Sequence, residues 1–252
     1  MKRKRTQSGF SLMETLLAVG TLAIGLVFVA GTFLAGVYFA TISTEGTIAT
    51  VVADEAFAKI HLYGLDPNLA NLPTDRYVRY DAMSIMPEEE HLYPSTATTL
   101  DKQYCWTALC KRTDDDSQLV DVVVFVCRRT GSATRYWTQE AGALTETDTP
   151  GPVQIHLAEA TGSSRDTDVI VTGTNEEWLL VNDGATLVDD STGEVYRVLE
   201  RYSSPQEQIR LDRVWTGAAL ATAEGASAWV VPQPKSGGRD PLVAIYQRVL
   251  RF

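Results

Sequence analysis

The chain contains 252 residues, 44% of them hydrophobic and 21% charged, which is enough to bury a core and to form one or two domains. Its net charge is −10, and four of its 22 basic residues lie together at positions 2–5; the other 18 face 32 acidic residues, a net charge of −14. A body this acidic repels phosphate backbones, which argues against nucleic-acid binding. Three cysteines are too few for a disulfide scaffold or a four-cysteine zinc cage, and three separated histidines offer little for metal or acid–base chemistry.

The first strong feature is an uncharged run of thirty residues, 15–44. About 20 helical residues span a bilayer core, so this run predicts a membrane-spanning helix. It is longer than the apolar region of a secretory signal peptide and has no clear cleavage site at its distal end. Four basic residues precede it: Lys2, Arg3, Lys4 and Arg5. They predict a cytoplasmic N-terminus, a single pass and an exported C-terminal body.

One acidic residue, Glu14, stands at the head of this run. A carboxylate inside a membrane helix is costly, although less so near the end of the helix. Two interpretations follow from the residues. Glu14 is either a flanking charge at the membrane interface or a group that meets a cationic partner supplied by another subunit.

The N-terminal motif combines four bases, Gly9, Phe10, Glu14 and a long apolar helix, in that order. Residues 1–55 resemble the N-terminal signal of type IV pilins and type II secretion pseudopilins. The resemblance implies that a prepilin peptidase cuts between Gly9 and Phe10 and methylates Phe10, and that Glu14 serves in assembly. Major pilins usually carry a proline where this chain has Gly31, which favours a minor subunit.

The resemblance also implies a location and partners. It places the protein in the inner membrane, with its C-terminal part in the periplasm or outside the cell. The implied partners are prepilin peptidase, other pilin or pseudopilin subunits, an inner-membrane platform protein, an assembly ATPase and membrane lipid, with no nucleic acid and no cofactor. Its function would be that of a structural subunit of a type IV pilus or a type II secretion pseudopilus.

Two other functions stay open beside this one. The chain could be a signal-anchored exported β-domain that binds a ligand or substrate without polymerising, or an anchored hydrolase. The sequence contains no Gly-x-Ser-x-Gly, Walker, His-Glu-x-x-His or Cys-x-x-Cys motif. We therefore expect no enzyme activity, no catalytic residues and no metal ligands.

The fold class expected is α+β, with a long N-terminal helix packed on a pilin-like antiparallel sheet and then a small all-β module. Four segments are predicted: a basic leader at 1–9, a helix with a transmembrane half at 10–64, a connector and antiparallel sheet at 65–160, and a β-rich module at 161–252. Beyond the membrane, apolar residues recur at helical spacing from Ile48 to Ile60, and Gly64 marks the end of the helix.

A hairpin is predicted from Tyr104–Lys111 and Leu119–Arg128, with alternate valines of the second strand facing the helix. A turn near Asp116 would place Cys105 opposite Cys127 on the other face. That pairing would suit a disulfide in an oxidising exterior, but simple packing of the thiols is an equal alternative. Cys110 would face the helix as a buried hydrophobe.

The C-terminal segment reads as short strands separated by turns, which predicts a small barrel or sandwich. The strands expected are Asp168–Val171, Glu177–Val181, Ala185–Val188, Val195–Tyr202, Gln208–Val214, Ala228–Val231 and Leu242–Leu250. Three acids in the turns, Asp183, Asp189 and Asp190, could bind calcium, but their spacing matches no EF-hand and favours plain turns. Four tryptophans are expected in the core: Trp137, Trp178, Trp215 and Trp229.

Overall fold

The computed structural model describes residues 11–65, 72–95, 102–113, 118–131, 134–140, 143–160, 165–173, 175–202, 207–220 and 225–252. The chain divides into two compact units, with the boundary between Thr47 and Ile48. The fold is α+β: one long N-terminal helix is followed by antiparallel sheets.

The helix, α1, extends over 52 residues from Leu12 to Tyr63, close to the predicted range of 10–64. It ends as expected at Gly64, whose positive φ of 74° suits a glycine and whose N–H donates to the carbonyl of Ile60 at 3.0 Å. In the first unit every described side chain from Leu12 to Thr44 is exposed.

Along the described residues, thirteen strands, one short α-helix and two 3₁₀ helices, Tyr80–Ala82 and Glu88–His91, follow α1. The strands are β1 Val78–Arg79, β2 Leu92–Tyr93, β3 Tyr104–Arg112, β4 Leu119–Arg128, β5 Tyr136–Glu140, β6 Ala143–Thr147, β7 Val153–Glu159, β8 Asp168–Val171, β9 Thr186–Asp189, β10 Val195–Tyr202, β11 Gln208–Leu211, β12 Ala226–Val230 and β13 Leu242–Arg251. The short helix, α2, is Asn175–Leu180.

The first sheet has the antiparallel order β1-β3-β4-β13, and β2 also pairs with β3. Its central hairpin has the predicted register, in which Cys105 lies opposite Cys127. The helix-facing side of this hairpin includes Val122 and Val124, which pack with Ala53 and Phe57 of α1. From Ala49 to Ile60 α1 therefore buries its apolar face on this sheet, as the sequence predicted.

The last strand, β13, belongs to this first sheet, where Ala244 lies opposite Val126 and Leu250 opposite Val120. The prediction that Leu242–Leu250 belongs to the C-terminal β-rich module is therefore wrong. An apolar antiparallel strand has the same alternation in either sheet, and the sequence pattern could not choose between them.

Six strands from the segment of chain that follows β4 and precedes β13 form a closed antiparallel barrel. Their order around the barrel is β7-β8-β11-β10-β9-β12. Its interior is filled by buried side chains, among them Ile155, Leu187 and Tyr196. Trp178 and Trp215 lie in this core, Trp137 is partly buried against it, and Trp229 is buried against the first sheet. The barrel starts at Val153, before the predicted boundary at residue 161.

One predicted strand is wrong. Glu177–Val181 was expected as a strand, but Asn175–Leu180 forms α2. Trp178 and Leu180 are buried while Leu179 is exposed. This alternation mimics a strand, and a segment of six residues is too short for periodicity to separate the two structures.

The barrel packs on the face of the first sheet that α1 does not cover. Phe125 and Cys127 of β4 share a buried cluster with Val188, Trp229 and Val231 of the barrel region. Within the second unit, the sheet is thus a middle layer between the end of α1 and the barrel.

Candidate functional site

Glu14 lies in the first turn of α1. The backbone N–H groups of Glu14 and Thr15 donate to the carbonyl of Ser11 at 2.9 and 3.1 Å, so the helix is already formed at this point. The side chain of Glu14 is exposed. A carboxylate in the first turn is favoured by the partial positive charge at a helix N-terminus. The other predicted N-terminal site residues lie outside the described residues: Lys2, Arg3, Lys4, Arg5, Gly9 and Phe10.

The surface that follows Glu14 is apolar and exposed. Leu17, Phe28 and Phe39 have 72%, 71% and 67% of their surface accessible, values that a water-soluble helix would not sustain over nine turns. By length and composition α1 can cross a bilayer, and it is the one such helix among the described residues. The chain therefore has a candidate membrane anchor or signal at its N-terminal end.

Hydroxyl groups along this apolar surface have acceptors within the helix. Thr15, Thr21 and Thr32 donate to the carbonyl three residues earlier at 2.9 Å. Thr41 and Thr44 donate to the carbonyl four residues earlier at 2.9 and 2.8 Å. These bonds satisfy the hydroxyls without water, as residence in hydrocarbon requires.

A polar clamp fixes the connector after α1 to the helix. The ammonium group of Lys59 lies 2.8 Å from the carboxylates of both Glu55 and Glu90, and it donates to the Ser95 hydroxyl at 3.0 Å. Burial lowers the pKa of Lys59, but the hydrogen bonds to Glu55 and Glu90 outweigh this effect and raise it overall. Glu90, which lies in the 3₁₀ helix Glu88–His91, thus helps to hold the connector against α1.

The three cysteines are buried and are free thiols in this structure. Cys105 and Cys127 are cross-strand neighbours on the barrel side of the sheet, and Cys110 lies in the core beneath α1. The predicted faces are therefore confirmed, whereas the disulfide itself stays a prediction. Burial raises the pKa of Cys105 to about 12 and the pKa of Cys127 well above its ordinary value.

The acids considered for calcium are used by the fold or exposed. Asp189 accepts hydrogen bonds from the hydroxyls of Ser191 and Thr192, both at 2.6 Å. Asp190 accepts from the indole of Trp229 at 2.6 Å and from the amide of Gln154 at 3.2 Å. Asp183 is exposed. No group of three or more metal-ligating side chains occurs within the described part of the chain.

A polar network between the barrel and the sheet was not foreseen from the sequence. The Tyr77 hydroxyl donates to Asp121 at 2.6 Å, and the Gln247 amide donates to the same oxygen at 2.8 Å. The backbone N–H of Tyr77 donates to the carbonyl of Asp190 at 3.0 Å. Because its members are separated by up to 170 residues, no local sequence signal could have revealed the network.

The described chain combines a helix that is long and apolar enough to cross a membrane, with a carboxylate in its first turn, and a second unit in which the end of α1, the first sheet and the barrel form three layers. Some of its buried polar groups bond to one another inside the fold, as Tyr77 does to Asp121 and Trp229 to Asp190. No family profile, curated protein or solved structure matches the chain. The functional assignment therefore rests on the N-terminal motif and on the physical properties of the fold.

Proposed function

We propose that this chain is a minor pilin or pseudopilin subunit that is processed by a prepilin peptidase and assembles into a type IV pilus or type II secretion pseudopilus. The observation that carries the proposal is the ordered motif of bases, Gly9, Phe10 and Glu14 leading into an apolar helix. The fold is compatible with it, since the part of α1 from Ile48 onward packs on an antiparallel sheet. The resemblance to pilins is a property of the first 55 residues.

Processing would act on the bond between Gly9 and Phe10. The basic residues 2–5 would keep that bond on the cytoplasmic side, because positively charged flanks resist translocation. Cleavage removes nine residues and creates a new amino group at Phe10. The apolar run would then start almost at the terminus and remain in the lipid as the anchor.

Assembly would use the charge of Glu14. In a helix, residues 10 and 14 are about one turn apart, about 6 Å along the axis, so a terminal amine and Glu14 can meet only loosely within one chain. Between staggered subunits the amine of one chain can approach Glu14 of the next. Pairing removes two isolated charges from a low-dielectric site, and this sets register more than it adds stability.

The exposed face of α1 supplies a surface for such neighbours. A shallow groove on it is lined by Ala18, Thr21, Gly25 and Val29, with Leu22 and Leu26 beside them. Small residues let two helix backbones approach closely in a membrane. A platform protein and an ATPase would supply the force that lifts each subunit from the bilayer.

A second function stays open because of the barrel. The helix and the first sheet form a core of their own, and the barrel adds a separate hydrophobic core. A signal-anchored chain could display this barrel to bind a ligand or substrate without polymerising. The barrel interior is filled by side chains, so such a ligand would bind to its outer wall or its loops.

Mass spectrometry of the N-terminus of the full chain purified from membranes tests the proposal. We expect a mature chain that starts at Phe10 and carries one added methyl group on its amine. Gly9→Val should block cleavage. An uncut N-terminus in a cell that contains prepilin peptidase would contradict the proposal and favour a simple anchor.

Incorporation is tested separately with Glu14→Gln, which removes the charge and keeps the side-chain shape. We expect normal cleavage but loss of crosslinking to filament subunits. Glu14→Asp keeps the charge and serves as the matched control, with partial recovery expected. Full incorporation of Glu14→Gln would show that charge pairing is not needed and would remove Glu14 from the assembly mechanism.

A further inference from the structure

The two buried cysteines of the central hairpin occupy a position that differs from that of the third. Cys105 of β3 and Cys127 of β4 are direct cross-strand neighbours, and both point to the barrel side of the sheet. Cys110 lies in the other core, with Ala53 and Ala56 of α1 around it. The sheet itself therefore separates Cys110 from the other two thiols.

The register places the Cα atoms of the pair within the range that disulfides join, and their Cβ atoms, about 5.5 Å apart in a hydrogen-bonded pair, must move about 1 Å closer for the bond to form. The N–H of Arg129 donates to the carbonyl of Gln103 at 2.8 Å, which makes that pair a hydrogen-bonded one. Hydrogen-bonded and non-hydrogen-bonded pairs alternate, so Cys105 and Cys127 also form a hydrogen-bonded pair, whose Cα atoms lie about 5.5 Å apart. Disulfides usually join Cα atoms that are about 4.4–6.8 Å apart.

The burial of both thiols determines at which stage of folding the disulfide would form. Cys105 is 1% exposed and Cys127 is fully buried. Barrel residues Val188, Trp229 and Val231 share their cluster, and the carbonyl of Pro150 lies 3.8 Å from the Cys105 sulfur. An oxidant could reach these sulfurs only before the barrel closes over the hairpin.

We infer that Cys105 and Cys127 are joined by a disulfide in the exported protein, and that the bond forms on the hairpin before the barrel docks on the sheet. The inference goes beyond the proposed function and rests only on the part of it that exports the C-terminal body. It would tie β3 to β4 and give the barrel a fixed platform. Cys110 stays a free thiol.

The chemistry is thiol–disulfide exchange with the disulfide of an exported thiol oxidase. Both S–H bonds are lost and one S–S bond forms between Cys105 and Cys127. The two electrons and two protons pass to the oxidase disulfide, which becomes two thiols. The attacking species is a thiolate, and burial raises the pKa of both cysteines in the folded chain, so exchange should be slow once folding is complete.

The first test uses the full chain purified from membranes in the presence of iodoacetamide, followed by peptide mapping without reduction. We expect one linked peptide pair that contains Cys105 and Cys127, and alkylation of Cys110 alone after denaturation. Cys110→Ala should leave the link intact, while Cys105→Ala with Cys127→Ala should remove it and lower the urea midpoint. Three free thiols, or a link that includes Cys110, would overturn the inference.

A second experiment tests whether the hairpin geometry alone allows the disulfide to form, independently of export. The reduced, unfolded full chain is refolded in detergent with a mixture of oxidised and reduced glutathione, and the same map is made. We expect the Cys105–Cys127 link here as well, and much slower oxidation when glutathione is added after folding. Formation in this arm but free thiols in the membrane-purified chain would overturn the inference for the native protein and place the failure in export. Equal oxidation rates before and after folding would overturn the order of events.

Discussion

The two faces of the first sheet are covered by different kinds of layer. On one face α1 packs small and apolar side chains against the valines of β4, and its polar contacts, among them the Lys59 clamp and the ion pair of Asp54 with Arg248, lie at the edge. On the other face the barrel adds a large aromatic side chain, Trp229, and a polar network that includes Asp190 and Tyr77. The helix contact is therefore held by close packing, while the barrel contact adds hydrogen bonds that fix its orientation.

The prediction with the largest expected effect tests whether the sheet and the barrel bury a hydrophobic core between them. Phe125 is fully buried between the sheet and the barrel, so Phe125→Ala should lower the free energy of unfolding by about 3–5 kcal/mol. The measurement is urea unfolding of the full chain in detergent. Val249→Ala, at a position 57% exposed, is the control and should change stability by no more than about 0.5 kcal/mol. Equal effects at both positions would mean that the barrel does not pack against the sheet and is joined to it only through the connecting chain.

The second prediction uses substitutions at two glycines to test how closely Tyr77 packs against the turn that contains Gly193. Gly193 and Gly184 have similar positive φ values of 77° and 81°. A Cβ at Gly193 would overlap the Tyr77 hydroxyl, whereas one at Gly184 would meet no atom within 4 Å. Gly193→Ala should therefore cost about 1–3 kcal/mol more than Gly184→Ala in the same unfolding assay. Similar costs would show that Tyr77 does not pack against this turn.

The third prediction concerns the polar contact at the edge of the helix face. Lys59→Met should lower stability by about 1 kcal/mol, because it leaves Glu55 and Glu90 close together without their cation. Arg135→Met removes a more exposed ion pair with Asp148 and should change little. Unfolding at low and high salt checks the ionic origin, since salt should reduce the cost of Lys59→Met. A cost that salt does not alter would point to lost packing instead.

The smallest expected effect is a pH dependence from Asp190. Burial raises the pKa of this carboxyl above its ordinary value, so the native state keeps the proton at pH values where the unfolded state has lost it. The stabilisation is complete below the unfolded pKa and is lost as pH rises through the folded pKa. Stability measured for the wild type minus that for Asp190→Asn should fall with pH across this window. Asp183→Asn, an exposed control, should follow the wild type; a flat difference for Asp190 would contradict the burial argument.

Much of the helix and hairpin could be predicted because the signals are local. The apolar run, the helical spacing after it and Gly64 fixed the ends of α1 to within two residues. The register of β3 and β4 followed from a short turn. At Glu14 the sequence predicted the position in the helix, whereas the partner proposed for the carboxylate would belong to another chain.

The second layer on the sheet was missed although β4 carried a signal for it. From Val122 to Cys127 the strand is apolar at every position, and such a run is typical of strands buried on both faces. The predicted helix contact accounts only for the alternate valines of β4, whereas Val123 and Phe125 face the barrel. By contrast, no local sequence pattern predicts that β13 pairs with β4, because the two strands are more than 110 residues apart in the chain.

The return of β13 has a consequence for how the polypeptide is made. If the chain crosses the membrane from its N-terminal end, β4 emerges long before its partner, and one edge of the hairpin stays unpaired while the whole barrel follows. An open apolar edge is a template for association with other chains. Shielding by a chaperone, or early pairing of the barrel strands with one another, would be needed during translocation until residues 242–251 have emerged and pair with β4.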